Sequence, residues 1–433
     1  MKDQLHDLVK KKPLYCSLLF DGSTDKTTTE KEVISIKVIE NGTPRIRLLG
    51  IVEPDTCDAQ GILKAVAQKC EENQLNLSNC LTATAADGAS VNFGKTTGVL
   101  TRLQQQSASW MIKVHCIAHR LELCLKDAFK ETYFTQIDDL LTRLYSLYRR
   151  SAKKWRQLKD LGEALEEHGA DEPGQDKVKL KAYWRQLTSS KFVLHMVLYQ
   201  DLLAELAELS LDFQADELSL SSGVAISHHS TSDEAFCHQR VEIVNRITDC
   251  ISQRFATFST DPVLLAAEIF DPHNMPENIS AIEPYGDEEV QRLCEHFEPL
   301  LLSNGCNVAE VERDWLRAKH DIHQHHRRET FLVLWHRMLT EKEAIYPNLL
   351  HLIRIVLIFP VSTAQVERQC STIKRIQGGL ALEIEIENNR RSLLIKSQGC
   401  DPLEYQSEDA VGKVVESWPL KQGDQAFSRM GQD

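Results

Sequence analysis

The sequence predicts an α/β fold, with a mixed β-sheet near the N-terminus and a long helical region after it. Three observations lead to this prediction. The first 130 residues alternate β-rich runs with helical patterns. From about residue 135, helical patterns continue almost to the end, with few β-branched runs. At 433 residues, the chain also exceeds the size at which a single core keeps growing, so we expect two or three structural units.

The first three predicted strands form an antiparallel meander. Their β-rich runs lie at residues 14–20, 32–40 and 45–53, and short polar connections join them. The second connection, NGTP at residues 41–44, is a strong hairpin signal, because Asn-Gly readily adopts the tight turn between antiparallel strands. These three runs should therefore be neighbours in one sheet.

A helix and two further strands follow the meander. Residues 59–72 place apolar side chains at positions 62, 63, 66 and 67, which is a helical spacing. The next β-rich runs lie at residues 79–86 and 110–116, and each precedes a helical pattern. The order strand, strand, strand, helix, strand, helix, strand, helix is that of the ribonuclease H fold. The sequence therefore predicts a ribonuclease H-like mixed sheet.

A large helical segment interrupts this predicted core. We place the first part of the core at residues 1–134, an all-helical insertion at 135–335, and the final core helix with a helical C-terminal region at 336–433. Pro360 ends the helix that precedes the final core helix. Ser362 and Gln365, three residues apart, predict a capping box at the start of that final helix.

Charge and cysteine content restrict the possible functions. The net charge of −13 opposes a polyanionic partner overall, because nucleic-acid affinity comes largely from Lys and Arg at phosphates. The twelve cysteines include no C-x-x-C pair, so we expect reduced thiols and no structural zinc.

The N-terminus lacks the apolar core of a signal peptide, and His and Arg interrupt the longest apolar run, 349–359. We therefore expect a soluble intracellular protein that does not contact a membrane.

Any contact with DNA must be local, and two stretches could provide it. Residues 143–159 and 177–191 each mix basic side chains with Tyr and Trp. The alternative interpretation of either stretch is an ordinary solvated helix face. The candidate nucleic-acid-binding residues are Arg149, Arg150, Lys153, Lys154, Trp184 and Arg185.

Three acidic residues form the candidate catalytic and metal-binding site. Asp21 and Asp87 each precede a glycine and follow a predicted strand, and in the predicted layout these two strands are neighbours. Carboxylate pairs of this kind suit Mg²⁺ or Mn²⁺. Glu367 is the best third ligand, because its helix would place Val366 and Cys370 on an apolar face and the carboxylate beside it. The alternatives are a simple turn at Asp21 and a surface position for Glu367.

Other motifs suggest different chemistry, and we favour structural interpretations for them. The stretch 88–96 resembles a phosphate-binding loop, but five residues separate its two glycines where the motif requires four. Cys116 and His119 form a C-x-x-H pair without a second pair nearby, which favours a buried structural pair over a zinc site. The histidine-rich run at 319–329 is more typical of a polar surface helix than of a metal site.

Together, these motifs resemble the hAT (hobo, Activator, Tam3) superfamily of DNA transposases, particularly the copies in vertebrate transposon-derived zinc-finger proteins. The resemblance spans nearly the whole chain. Its most specific segments are residues 18–25, 83–100, 114–130, 362–376 and 390–396.

The resemblance implies a catalytic triad and a reaction. Asp21, Asp87 and Glu367 match the acidic triad of the family, which implies metal-dependent DNA strand cleavage and transfer with two Mg²⁺ or Mn²⁺ ions. Cys116 and His119 match a motif near the family's active site. Trp184 lies close to the position of a tryptophan that stacks on a displaced base, although Arg185 follows it here, whereas the family's arginine precedes the tryptophan.

The resemblance also implies partners and a location. The match to the C-terminal segment of the family, about residues 340–396, implies an intertwined homo-oligomer, and DNA chemistry implies a nuclear protein. Family members that move DNA carry an upstream zinc-binding domain, whereas about a dozen residues precede the first strand here. We therefore expect a truncated or domesticated copy. The alternative is a catalytically silent, dimerising scaffold protein derived from a transposase.

Overall fold

The computed structural model describes five stretches of the chain, residues 7–24, 30–149, 185–187, 189–213 and 234–379. The chain divides into two compact units. One unit is Lys2–Cys370, and the other comprises Met1 and Ser371–Asp433. The first unit contains the β-sheet and its surrounding helices. Of the second unit, residues 371–379 are described, and they are helical.

A five-stranded mixed sheet dominates the N-terminal part of the chain. Its strands are β1 (Cys16–Thr24), β2 (Glu30–Glu40), β3 (Thr43–Val52), β4 (Leu81–Ala86) and β5 (Ile112–His115), in the order β3-β2-β1-β4-β5. Strand β2 pairs antiparallel with both β1 and β3, whereas β4 pairs in parallel with β1 and β5. The predicted α/β class, with a mixed sheet that includes an antiparallel meander, is confirmed.

Helices alternate with the later strands of the sheet. The predicted helix at 59–72 is present with these bounds, and Asp58 caps its start: the Asp58 side chain accepts a hydrogen bond from the Gly61 N–H at 2.8 Å. The helices of this part are α1 (Ala59–Glu72), α2 (Leu77–Cys80), α3 (Ser90–Phe93), α4 (Val99–Gln106) and α5 (Ile117–Phe129).

The described residues after α5 are mainly helical, as the sequence predicts. The helices are α6 (Tyr133–Arg149), α7 (Ser190–Phe213), α8 (Glu234–Thr260), α9 (Pro262–Ala267), α10 (Ile279–Ile282), α11 (Asp287–Ser303), α12 (Val308–His325), α13 (Phe331–Glu341), α14 (Leu349–Leu357) and α15 (Ala364–Gly379). Two 3₁₀ turns, Glu268–Phe270 and Pro272–Asn274, follow α9. None of the helices in these described segments combines the length and apolarity that crossing a bilayer requires.

Side chains alternate between two buried faces of the sheet. One face of β1 packs with α1 in a single apolar core that includes Cys16, Leu18, Phe20, Ile62 and Val66. Because side-chain direction alternates along a strand, Leu19 and Asp21 belong to the opposite face. Leu19 is fully buried and Asp21 is partly exposed, so this face changes from apolar to acidic towards the end of β1.

Strand β1 is longer than the sequence predicts. The sequence predicts a first strand at residues 14–20, with a turn at Asp21 as one interpretation, but β1 continues to Thr24 and Asp21 pairs with Val33. The reason is the length of β2, which begins at Glu30 and supplies backbone partners along the whole of β1. Asp21 therefore lies on an extended strand with paired neighbours, which limits its movement.

A buried carboxylate joins two helices of the C-terminal half. Asp314 of α12 is only 2% exposed, and its Oδ2 accepts hydrogen bonds from the backbone N–H groups of Asn348 (2.9 Å) and Leu349 (3.3 Å). These N–H groups start α14 and have no acceptor within their own helix. Asp314 therefore acts as a cap for α14 from a different helix, and Arg317 pairs with its other oxygen at 2.6 Å.

We expect Asp314→Ala to lower the free energy of unfolding by about 2–3 kcal/mol, because buried N–H groups would lose their acceptor. Urea unfolding measures the change. The control is Glu310→Ala on the same helix, which removes an exposed ion pair with Arg313 and should cost less than about 1 kcal/mol. Equal losses in both variants would show that the cap contributes no more than a surface charge.

Candidate active site

Asp21 and Asp87 lie side by side because of the register between β1 and β4. These parallel strands align Leu18 with Thr84 and Leu19 with Ala85. Continuing this register by two residues places Asp21 opposite Asp87, just beyond the last residue of β4. Both aspartates are partly buried. The structure thus brings together two of the three residues that the sequence predicts as metal ligands.

Local hydrogen bonds orient the Asp87 carboxylate. Its Oδ1 accepts hydrogen bonds from Asn92 Nδ2 at 2.6 Å and from the Ala89 N–H at 3.2 Å. The chain turns sharply at Gly88, where a Cβ atom would lie 2.3 Å from the His115 ring. A glycine is therefore needed at position 88 for this close approach. Burial, together with the positive charge of Arg120, lowers the pKa of His115 to about 4, so the ring is neutral near pH 7.

A fourth acidic residue, Glu32, lies near the two aspartates. It is only 6% exposed, and on β2 it pairs with Gly22, the residue after Asp21. Burial, with the negative charges of Asp21 and Asp87, raises the pKa of Glu32 to about 7. The site therefore concentrates negative charge in a poorly solvated place.

Glu367 begins the last described helix and is held by two neighbours. Its Oε1 accepts a hydrogen bond from Thr363 Oγ1 at 3.1 Å and lies 3.7 Å from Cys116 Sγ. One turn further along α15, Cys370 Sγ lies 3.8 Å from the backbone oxygen of Asp21. Helix α15 thus packs against the end of β1, with Glu367 partly buried on it.

Further contacts fix the start of α15 against the sheet. Ser362 Oγ accepts a hydrogen bond from the Ala364 N–H at 3.1 Å, and the first helical bond runs from the Glu367 N–H to the Thr363 oxygen, so Thr363 rather than Ser362 starts the helix. Deeper in the core, Ser35 Oγ of β2 donates to Gln369 Oε1 at 3.0 Å. Val366 and Cys370 are buried, as the predicted apolar face requires. The position of Glu367 is therefore set by contacts to three different elements.

The predicted C-x-x-H pair lies beside this helix start. Cys116 is buried at the start of α5, and its Sγ accepts a hydrogen bond from the Thr363 N–H at 3.3 Å. His119 is partly exposed, and its ring centroid lies 5.6 Å from that of His115. Its Nδ1 lies 3.6 Å from Glu122 Oε2. Cys116 thus links the β5–α5 junction to the helix that carries Glu367.

The oxygen donors at this site are of the type that Mg²⁺ and Mn²⁺ prefer. A second observation agrees with a cation there: Asn92 Oδ1 is buried and has no hydrogen-bond partner in the described part of the chain. Across the described residues, no three His, Cys, Asp or Glu side chains stand close enough together to form a ready cage for a metal ion. The acids are neighbours, therefore, but they are not arranged as direct ligands of a single ion.

Most of the predicted nucleic-acid-binding residues lie outside the description. Arg150, Lys153, Lys154 and Trp184 are not among the described residues, and of Arg149 only the backbone is described, at the end of α6. Arg185 is exposed in the short helical segment 185–187. Their role in binding DNA stays a prediction.

The histidine-rich run forms the end of α12 and makes separate local contacts. His325 Nδ1 lies 3.2 Å from Asp321 Oδ1, and His326 Nδ1 lies 3.0 Å from Glu329 Oε1. His323 Nε2 lies 3.3 Å from the backbone oxygen of Glu277. Since each ring faces a different partner, these histidines hold local structure together.

A known protein family matches part of the chain. Residues 312–390 match the sequence model of the hAT family C-terminal dimerisation region. The matched segment begins within α12, ahead of residue 336, where we placed the start of this region, and it includes Glu367. The match supports the resemblance to the hAT family and supports self-association of the chain. No curated protein matches the chain.

The raised pKa of Glu32 predicts a pH-dependent loss of stability. Below its ordinary pKa near 4.5, Glu32 is protonated in both the folded and the unfolded chain, so it causes no penalty. As the pH rises towards 7, the unfolded chain ionises first, and the folded state loses on the order of 3 kcal/mol relative to it. We expect Glu32→Gln to remove this loss in urea unfolding experiments with a chelator present.

The control is the same substitution at Glu40, at the other end of β2, where the carboxylate accepts a hydrogen bond from Arg47 Nε at 2.7 Å. Glu40→Gln should keep the wild-type slope of stability against pH between 4.5 and 7. A Glu32→Gln variant with that same slope would contradict the burial and charge that we describe around Glu32.

Proposed function

We propose that this protein is a hAT transposase-type enzyme whose ribonuclease H-like site uses a divalent metal ion to cleave and transfer DNA strands. The observation that carries the proposal is the parallel pairing of β1 with β4, whose register, continued by two residues, puts Asp21 opposite Asp87. The match of residues 312–390 to a transposase dimerisation region supports it independently.

The sheet supports the ribonuclease H-like part of the proposal. An antiparallel meander, β1-β2-β3, continues through β1 into the parallel strands β4 and β5, which is the strand order of that fold. Helix α15 returns to the sheet late in the chain and carries the third acid, Glu367, beside β1. The helices between α5 and α15 then correspond to the predicted insertion.

Asp21, Asp87 and Glu367 would hold Mg²⁺ or Mn²⁺ in this site. When bound, the metal ions activate a water or 3′-hydroxyl nucleophile and stabilise the leaving oxygen. The protein contributes orientation: Asn92 and the Ala89 N–H hold Asp87, and Thr363 and Cys116 hold Glu367. Fixed carboxylates need little rearrangement when charge develops on a phosphate, and this lowers the barrier.

The substrate, location and assembly follow from the same proposal. DNA would enter at the sheet edge that carries the acids, with the basic residues near 149–154 and Trp184 and Arg185 as further contacts. Such a protein would work in the nucleus as a homo-oligomer formed through its C-terminal region. A catalytically silent scaffold derived from a transposase would share that assembly, so strand cleavage distinguishes the two functions.

We expect the purified chain to cleave labelled duplex DNA with Mg²⁺ or Mn²⁺. Asp87→Asn should reduce the cleavage rate at least about a hundredfold, because a metal ligand lowers the reaction barrier by several kcal/mol. The matched control is Asp55→Asn, which removes an exposed acid that pairs with Lys64. It should leave the rate unchanged. Absence of cleavage with either metal, or equal rates for Asp87→Asn and wild type, would exclude the enzymatic function and favour the scaffold function.

A further inference from the structure

A half-open cavity of about 300 Å³ lies at the other end of the sheet from the acidic residues. Its wall is formed by the end of β2, the end of α13, Arg354 of α14 and residues 11–15. On β2, the lining residue Val38 lies five positions beyond Val33, the partner of Asp21. At roughly 3.4 Å per strand residue, these two positions are about 17 Å apart, so the cavity is separate from the proposed active site.

Part of the cavity wall is apolar. Val38 and Leu339 are buried, and Leu8 is partly buried in the same wall. Tyr15 is buried as well, and its hydroxyl lies 2.7 Å from His351 Nδ1, so the polar atom of this side chain already has a partner inside the protein. The wall therefore offers a ligand an apolar surface from which it can displace water.

Basic side chains gather around this apolar part. Lys11 and Lys12 line the cavity and are exposed, and within the described part of the chain neither ammonium group forms an ion pair. Arg354 lines it too, and its guanidinium group lies 2.5 Å from Glu343 Oε1. Among the described residues around the cavity, three are basic and one is acidic, although the chain as a whole carries a net charge of −13. The cavity is therefore a local site of positive charge.

We infer that this cavity binds a small organic anion, a molecule with an apolar body and one carboxylate, sulfonate or phosphate group. The body would contact Leu8, Val38 and Leu339, and the charged group would lie at the rim near Lys12 and Arg354. Hydrogen bonds from charged donors to such a group are stronger than neutral ones. A volume of about 300 Å³ is at the lower end of the range for small-molecule sites, so the body is no larger than two or three fused or linked rings. The inference does not depend on the proposed function.

The experiment titrates the full chain with 8-anilinonaphthalene-1-sulfonate, an aromatic anion whose fluorescence rises on apolar surfaces, and measures its Kd. Lys12→Gln should raise the Kd about fivefold or more, because the sulfonate loses a charged donor. The control is Lys10→Gln, which removes the same charge from an exposed lysine two positions away that does not line the cavity. Equal Kd values for Lys12→Gln and Lys10→Gln would overturn the inference.

A second pair of variants tests where the probe binds. Thr340 is exposed at the cavity wall, so Thr340→Trp should fill the space and raise the Kd more than about tenfold. Glu341→Trp, at the next exposed position and outside the cavity, should bind the probe like wild type. Thermal unfolding shows that the variants are folded under the binding conditions. A folded Thr340→Trp variant with the wild-type Kd would place the probe elsewhere and refute the site.

Competition against the bound probe identifies the chemistry of the ligand. 2-Naphthoate and 2-naphthyl phosphate should displace the probe, and their relative strength tells a carboxylate site from a phosphate site. 2-Naphthol, which has the same rings without the charge, and inorganic phosphate, which has charge without the rings, should each require at least about tenfold more. Displacement by 2-naphthol at equal concentration would show an apolar cavity without anion preference, and displacement by inorganic phosphate at equal concentration would show a plain anion site. Either result would contradict the inference.

Discussion

The parallel pairing of β1 with β4 is the constraint on which the rest of this site depends. Its register, continued two residues beyond Leu19 and Ala85, puts Asp21 opposite Asp87, so two like charges lie near each other, an arrangement that the two side chains alone would oppose. Extended backbone on both sides of Asp21 and the side chain of Asn92 beside Asp87 keep the carboxylates from moving apart. The fold thus keeps two acidic side chains near each other against their mutual repulsion.

Cys116 connects the sheet to residues from the C-terminal half of the sequence. The thiol accepts a hydrogen bond from the Thr363 backbone and lies beside the Glu367 carboxylate, so the β5–α5 junction and the start of α15 are locked together. The same helix lies within the segment that matches the hAT family C-terminal dimerisation region. Helix α15 therefore carries Glu367 and is also part of the matched region.

Much of the sheet could be predicted because its signals are local. Alternating apolar residues and the Asn-Gly turn define the meander, and helical spacing gives α1 its observed bounds. The neighbouring positions of β1 and β4 also followed from the predicted order of strands. The turn expected at Asp21 was wrong, because the length of β2, and not the Asp-Gly step, decides where β1 ends.

Glu32, Asn92 and the contact between Cys116 and Glu367 could not be predicted, because each depends on tertiary structure. Glu32 follows Glu30 at the start of a strand, a pattern typical of an exposed edge, and only the glycine opposite it makes burial possible. Asn92 lies in a stretch that we compared with a phosphate-binding loop. Cys116 and Glu367 are 251 positions apart, beyond the reach of any periodicity.

The most direct test of the central claim is a crystal structure of the protein grown with Mn²⁺, with the ion located by its anomalous scattering. The account predicts an anomalous peak between Asp21 and Asp87, with the Glu367 carboxylate turned towards it. A peak elsewhere with none at the ends of β1 and β4, or a Glu367 carboxylate that stays turned away from the bound ion, would contradict it.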